Sequence, residues 1–172
     1  VVGRKGGVPG RGAFLHVTFR AWLKSSGVDY KKVHFVEAAF PQHGDLLRGG
    51  SVDAVVTADP FMSRIVDSGA GYVASYYSTF LPDGQPTILH VARREWVQKN
   101  AAAAKAFREA VQEAAAFMAK PANDARVRAH IGKYIKLPPE VLAKVQISPP
   151  GPVVGEKQLA YWVGLMKEQE ML

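Results

Sequence analysis

The chain has 172 residues and no cysteine, is 48% hydrophobic and 22% charged, and carries a formal net charge of +7. That length supports one substantial core or two small lobes. The missing cysteine excludes disulfides, thiolate metal sites and cysteine nucleophiles. Basic residues occur at most in adjacent pairs, as at Arg4-Lys5, Lys31-Lys32 and Arg93-Arg94, with acidic residues interleaved. The sequence therefore holds no clustered basic stripe, and no nucleic acid is expected as a partner. No apolar run approaches the roughly 20 residues of a membrane span. No signal-peptide pattern precedes Val1, so a soluble, processed or partial product is expected.

In chain order, residues 4–9 read as a short strand weakened by the tandem Gly6-Gly7. A glycine-rich turn, Val8 to Gly12, then runs into a helix expected over Ala13 to Lys24. Its apolar stripe is Leu15, Phe19, Trp22 and Leu23, and Gly27 is its left-handed cap. Val33 to Phe40 reads as a buried strand, Gly44 to Arg48 as a short helix closed by Gly49-Gly50, and Val52 to Ala58 as the best strand in the chain. Asp59 N-caps a helix over Phe61 to Ser68, and Tyr72 to Tyr77 is a further strand. The resulting β-α-β-α-β-α-β order predicts a mostly parallel sheet with helices on both faces.

Residues 78–86 form the main break, followed by one more strand at Thr87 to Ala92. Beyond it lie helices at Ala101 to Lys120, Asp124 to Tyr134, a short one starting near Pro138-Pro139, and Glu156 to Gln169. A stiff connector, Ser148 to Pro152, precedes the last. The long helix aligns Ala104, Phe107, Val111, Ala115 and Met118; the last aligns Leu159, Trp162, Val163 and Met166. These helices need a sheet to cover, and this half of the chain supplies one strand.

Ligands of open α/β sheets bind at the carboxyl ends of the strands. Three such ends are identifiable: Gly10 to Phe14, Phe40 to His43 and Thr57 to Phe61. The N–H groups of Gly12, Ala13 and Phe14 at a helix start form an anion cradle. Arg11, Gln42, Thr57 and Asp59 add polar groups, and Phe14 and Phe61 are either pocket walls or core. Asp59 serves first as a cap, and His43 reads as an exposed loop histidine. The five histidines lie on different elements without metal-ligand spacing, so neither metal nor cofactor is expected. Phosphate-loop, dinucleotide and nucleophile-elbow templates are all absent, which points to binding without catalysis.

Several segments carry a family likeness: V-P-G-x-G-x-F (Val8 to Phe14), W-L-x-x-x-G-V-D (Trp22 to Asp29) and F-V-E-x-x-F-P-Q (Phe35 to Gln42). They continue with G-x-V-D-A-V-V-T-A-D-P-F (Gly50 to Phe61), L-P-D-G-Q-P-T-I-L (Leu81 to Leu89), R-E-W (Arg94 to Trp96), K-Y-I-K-L-P-P-E-V (Lys133 to Val141) and W-V-G-L-M-K-E-Q (Trp162 to Gln169). This ordered series resembles the substrate-binding proteins of ABC importers, in the nitrate/sulfonate/taurine branch related to thiamine-pyrimidine synthases. The resemblance implies an α/β fold of the type 2 periplasmic-binding class. One parallel or mixed-sheet lobe, residues 1–77, would be complete. Residues 78–86 would be a crossover, and 87–172 an incomplete, mainly helical part of the other lobe, whose remaining sheet an earlier segment supplies. Two departures stand out: Gly6-Gly7 makes the first strand glycine-richer and open to fraying, and Arg11 occupies a position where small residues are frequent.

The resemblance also implies a non-enzymatic solute-binding component, periplasmic or extracytoplasmic and lipid-anchored, that serves a membrane subunit of an importer. A small anionic or zwitterionic solute (sulfonate, taurine, nitrate or carboxylate) would sit in an interlobe cleft. Its site residues would be Gly10, Arg11, Gly12, Ala13, Phe14, Gln42, Thr57, Asp59 and Phe61. Arg11 and the turn would hold the anionic end, and Thr57 and Asp59 a polar or amino group. The alternatives are the ligand-sensing domain of a transcription regulator and a pyrimidine-synthase-like enzyme. The second relies on a cysteine-rich motif that is missing here.

Overall fold

The computed structural model describes residues 2–135, 138–145, 147, 151 and 154–172. The chain divides into two compact units, Val1–Gln85 with Gly155–Leu172, and Pro86–Val154. Apart from Gly151, the expected connector at 148–152 lies outside the described residues.

The first unit is built on a three-stranded parallel sheet in the order β2-β1-β3, with β1 at Lys5–Val8, β2 at His34–Glu37 and β3 at Ala54–Val55. Lys5 pairs with His34 and Val8 with Glu37 on one side of β1, and Gly6 with Ala54 on the other. Parallel strands require crossovers. Helix α1 (Phe14–Ser25) links β1 to β2, α2 (His43–Arg48) links β2 to β3, and α3 (Phe61–Asp67) follows β3. The tandem glycines, expected to fray the first strand, lie instead in its buried centre. The reason is close approach: a methyl group on Gly7 would sit 3.0 Å from Val55 Cγ1.

The core gathers Val8, Phe19, Leu23, Tyr30, Val33 and Val56, with Leu15, Trp22, Val28, Phe35 and Tyr77 packed against them. Burial of a side chain such as Leu23 contributes about 1.5–3 kcal/mol. Helix α1 ends in a Schellman motif: Gly27 adopts φ +73°, its N–H donates to Lys24 O at 3.0 Å, and Val28 N–H donates to Leu23 O at 2.8 Å. Two carbonyls that the helix end would strand are thereby satisfied.

Four expected strands change. The segment at 33–40 pairs only over His34–Glu37, giving way to a 3₁₀ turn at Phe40–Gln42. The segment at 52–58 pairs only at Ala54–Val55. Residues 72–77 and 87–92 form no strand. A strand exists only where a neighbour completes its ladder, and no described residue pairs with either stretch. Tyr72, Ile88 and Val91 are each more than four-fifths exposed, at 86%, 86% and 88%.

Helix α8 (Glu156–Glu168) also departs from expectation. Expected with residues 87–172, it belongs to the first unit and packs on α1. Phe14 meets Trp162 edge-on at 5.5 Å, and Gln169 Nε2 donates to Val17 O at 2.8 Å. Lys24 Nζ lies 2.6 Å from Glu168, and Lys31 Nζ lies 2.9 Å from Glu170. Lys24 of α1 and Lys31 beyond it thus meet acids at the end of α8 and just past it. Trp162 and Met166 of the expected stripe are half-buried, but Leu159 and Val163 remain exposed.

The second unit is helical: α4 (Arg94–Lys99), α5 (Ala101–Met118), a 3₁₀ turn at Pro121–Asn123, α6 (Asp124–Tyr134) and α7 (Pro139–Lys144). Arg128 ties α6 to the end of α7, donating from Nη1 to Leu142 O at 2.6 Å and Val145 O at 2.9 Å, and from Nε to Asp124 at 2.7 Å. Guanidinium donors suit the open carbonyls of a helix end. Among the described residues of this unit, only Val127 is buried. No helix of the described residues is long and apolar enough to cross a membrane.

Candidate functional site

Because the three strands run parallel, their carboxyl ends open on one edge of the sheet, and the three sequence-predicted loops follow those ends. The first loop is less free than its sequence suggests. Gly12 N–H donates to His16 Nδ1 at 2.9 Å, and Ala13 N–H donates to Gly10 O at 3.3 Å. Two of the three amides expected to cradle an anion therefore have internal partners. Phe14 turns its ring to Trp162. Arg11 donates its own amide to Glu37 Oε2 at 3.1 Å and its guanidinium to Phe35 O. Its side chain thus lies along β2, covering a carbonyl of the strand at the sheet's edge.

In the second loop, Gln42 Oε1 accepts from Ala39 N–H at 3.0 Å and closes the 3₁₀ turn. His43 corrects its expected exposure, being fully buried with Nε2 2.9 Å from Ala38 O. Desolvation holds its pKa below the ordinary histidine value, against the opposing backbone hydrogen bond.

The third loop carries the most open chemistry. Thr57 Oγ1 is buried without a hydrogen-bond partner among the described residues. Asp59 Oδ1 accepts from Ser63 N–H at 3.1 Å and from Ser63 Oγ at 2.6 Å. The N-cap of α3 is Pro60 rather than the expected Asp59; Asp59 supports the helix start from one residue earlier, through Ser63. Phe61 stacks on Phe40, with ring centres 5.4 Å apart and planes 8° apart. Phe40 and Phe61 line a small cavity of about 150 Å³ together with Arg48 and Arg64. The structure thus joins Phe61 to the second loop. No hydrogen bond or ring contact among the described residues joins Arg11 to Thr57 or Asp59.

Arg11 belongs instead to a groove of about 470 Å³ between α1 and the β2 edge, which it lines with His16, Arg20, Tyr30, Lys31 and His34. His16 and Arg20 are not among the sequence-predicted site residues. The available signal was their spacing: four-residue steps from Gly12 place them on one face of α1. His16 is 5% exposed. Its pKa falls from 6.5 to about 4, chiefly through burial and then through the charges of Arg20 and Arg11, against a smaller opposing effect of Glu37. The neutral ring accepts from Gly12 at Nδ1, so its proton resides on Nε2. Among the described residues, no cluster of three or more metal-ligating side chains is assembled.

Comparison with known proteins adds the family. The NMT1-like family is matched over residues 4–132. The chain is 32% identical over 108 residues to the nitrate/nitrite binding protein NrtA of Synechococcus elongatus, which covers 60% of this chain and 24% of that protein. It is 28% identical over 137 residues to the nitrate import ATP-binding protein NrtC of Synechocystis sp., covering 79% of this chain and 20% of that one. This chain holds no G-x-x-x-x-G-K-[ST] sequence, so the second likeness does not rest on a phosphate loop of that kind. The chain therefore spans a quarter or less of these two relatives. Its fold matches the ligand-binding component of an ABC-type import system from Staphylococcus aureus, solved with zinc bound. The TM-score is 0.81 at 14% identity, over 98% of this chain and 57% of that one. The architecture is thus α/β and periplasmic-binding-protein-like. With three-quarters of its length matched, the chain belongs to the NMT1-like family.

Proposed function

We propose that this chain forms part of the solute-binding component of an ABC importer and holds a small anionic or zwitterionic solute at the carboxyl edge of its parallel sheet. The component is non-enzymatic, works outside the cytoplasmic membrane, and delivers its solute to a membrane subunit. The observation that carries this reading is the Thr57 hydroxyl at the end of β3, buried yet unpartnered. A buried hydroxyl without a partner is costly unless a ligand completes it. In the same loop, Asp59 Oδ1 serves Ser63 while Oδ2 has no hydrogen bond among the described residues and would take an amino group of the solute. The stacked Phe40–Phe61 pair supplies an apolar wall. Gln42 and the turn Gly10, Arg11, Gly12, Ala13 and Phe14 border the same edge. A carboxylate beside the solute favours a zwitterion over a simple anion. The family resemblance and the likeness to NrtA support an importer role.

Isothermal titration of the chain with taurine, ethanesulfonate, nitrate and benzoate tests this reading. The expected result is saturable heat with taurine, weakened about tenfold by Thr57→Val, the loss of one hydrogen bond. Asp59→Asn removes the preference for taurine over ethanesulfonate. Absence of heat with all four solutes overturns the proposal.

A further inference from the structure

We propose that the groove between α1 and the β2 edge is a second anion site, built to take a phosphate- or sulfate-class oxyanion and separate from the strand-end site. Its lining supplies donors and no carboxylate: Arg11, His16, Arg20, Lys31 and His34, with the Tyr30 ring. The nearest acids are already engaged. Glu37 accepts the Arg11 amide, and Glu170 pairs with Lys31 at 2.9 Å.

Two donors here lack acceptors. His16 accepts at Nδ1 from Gly12, which fixes the proton on Nε2, and that buried N–H has no partner. Arg20 is held in place by two contacts: its guanidinium lies 4.1 Å from the centre of the Tyr30 ring, and Nη2 donates to Gln169 O at 3.2 Å. Its Nε–H is left buried and unpartnered. Unmet donors are rare in folded proteins because burial without a partner is costly. Here they belong to residues that line one groove with Arg11, and Lys31 at the same groove has Glu170 as its partner; a group offering several oxygens suits such a set of donors. The neutral imidazole contributes a donor without adding to the repulsion among the cations. The groove, at about 470 Å³, has room for an oxyanion that carries a substituent. The residues that bear the strand-end reading, Thr57 and Asp59, do not line it.

The test is ¹H–¹⁵N NMR of the whole chain at neutral pH, following the His16 Nε2–H and Arg20 Nε–H resonances. Inorganic phosphate, sulfate and acetate are titrated separately against chloride at matched ionic strength. Saturable shifts of both resonances are expected with phosphate and sulfate, with acetate weaker for want of a third oxygen. Arg20→Gln should weaken phosphate binding about tenfold, the scale of one lost charge-assisted contact. Lys31→Gln, at an exposed position where folding is not at stake, should weaken it measurably. Thr57→Val should leave it unchanged. Three results overturn the proposal. In one, chloride reproduces the shifts. In another, Thr57→Val abolishes them, which assigns the anion to the strand ends. In the last, the His16 N–H stays still through saturation, its proton already satisfied by the Phe35 ring 4.6 Å away.

Discussion

Helices α1 and α5 are both amphipathic, and α5 is longer, at 18 residues against 12. Yet α1 buries His16, Val17, Thr18, Phe19, Ala21 and Leu23, whereas α5 buries none of its residues. The difference lies in what each stripe meets. Helix α1 lies against a sheet on one side and α8 on the other; within its own unit, α5 has only short helices and a turn. An apolar stripe states what a helix can bury, while burial itself is decided by a partner the stripe does not encode.

The sharpest way to break that contrast is to truncate both stripes. Leu23→Ala should cost about 2–5 kcal/mol in urea unfolding, since Leu23 is 1% exposed. Phe107→Ala should stay within about 0.5 kcal/mol, because Phe107 is 53% exposed. Equal losses would mean that α5 is packed in solution. Next in size, Val127→Ala should cost about 1–2 kcal/mol and loosen the second unit first, as amide exchange along α6 would report.

The acid response sharpens the comparison from the side of α1. The folded-state pKa of His16 lies below its ordinary value, at about 4 against 6.5. Between those values the unfolded chain binds a proton that the folded chain refuses, so stability falls as pH drops through that window. His43 acts in the same direction. His16→Gln should flatten the acid limb of a stability–pH curve, and an unchanged limb would refute the assignment. Asp59→Ala should cost about 1 kcal/mol by releasing Ser63 at the start of α3. The smallest effect is expected from Lys24→Gln. Its pair with Glu168 is exposed on both sides and should leave the melting temperature unchanged at physiological salt.

What could be read from residues alone follows the same logic. Helix α1 was legible because its period and Gly27 are local signals, and the Schellman bonds form between near neighbours. The segments at 72–77 and 87–92 form no strand because aromatic composition in the first and β-branched composition in the second signal only a tendency to be buried, while pairing depends on residues far away in sequence. The strand ends were legible as loops. Their side-chain traffic was not: the choice of Arg11 for Phe35 O, or of Gly12 N–H for His16, depends on how α1 sits over β2. His43 departs from its expected exposure for a related reason: it flanks the loop but folds back on Ala38.

The return of α8 to α1 has a consequence for the order of assembly. Residues 86–154 form an excursion from a body that both flanking stretches complete. The doorway of that excursion is fastened by Gln158 Nε2, which donates to Gly84 O at 2.7 Å. The sheet and α1 precede α8 in the chain, so the surface of α1 that receives Trp162 and Gln169 stays uncovered until about 140 further residues have been made. Loop closure over that span is entropically affordable but slow. The packing of the first unit is therefore completed only after residues 86–154 have been made.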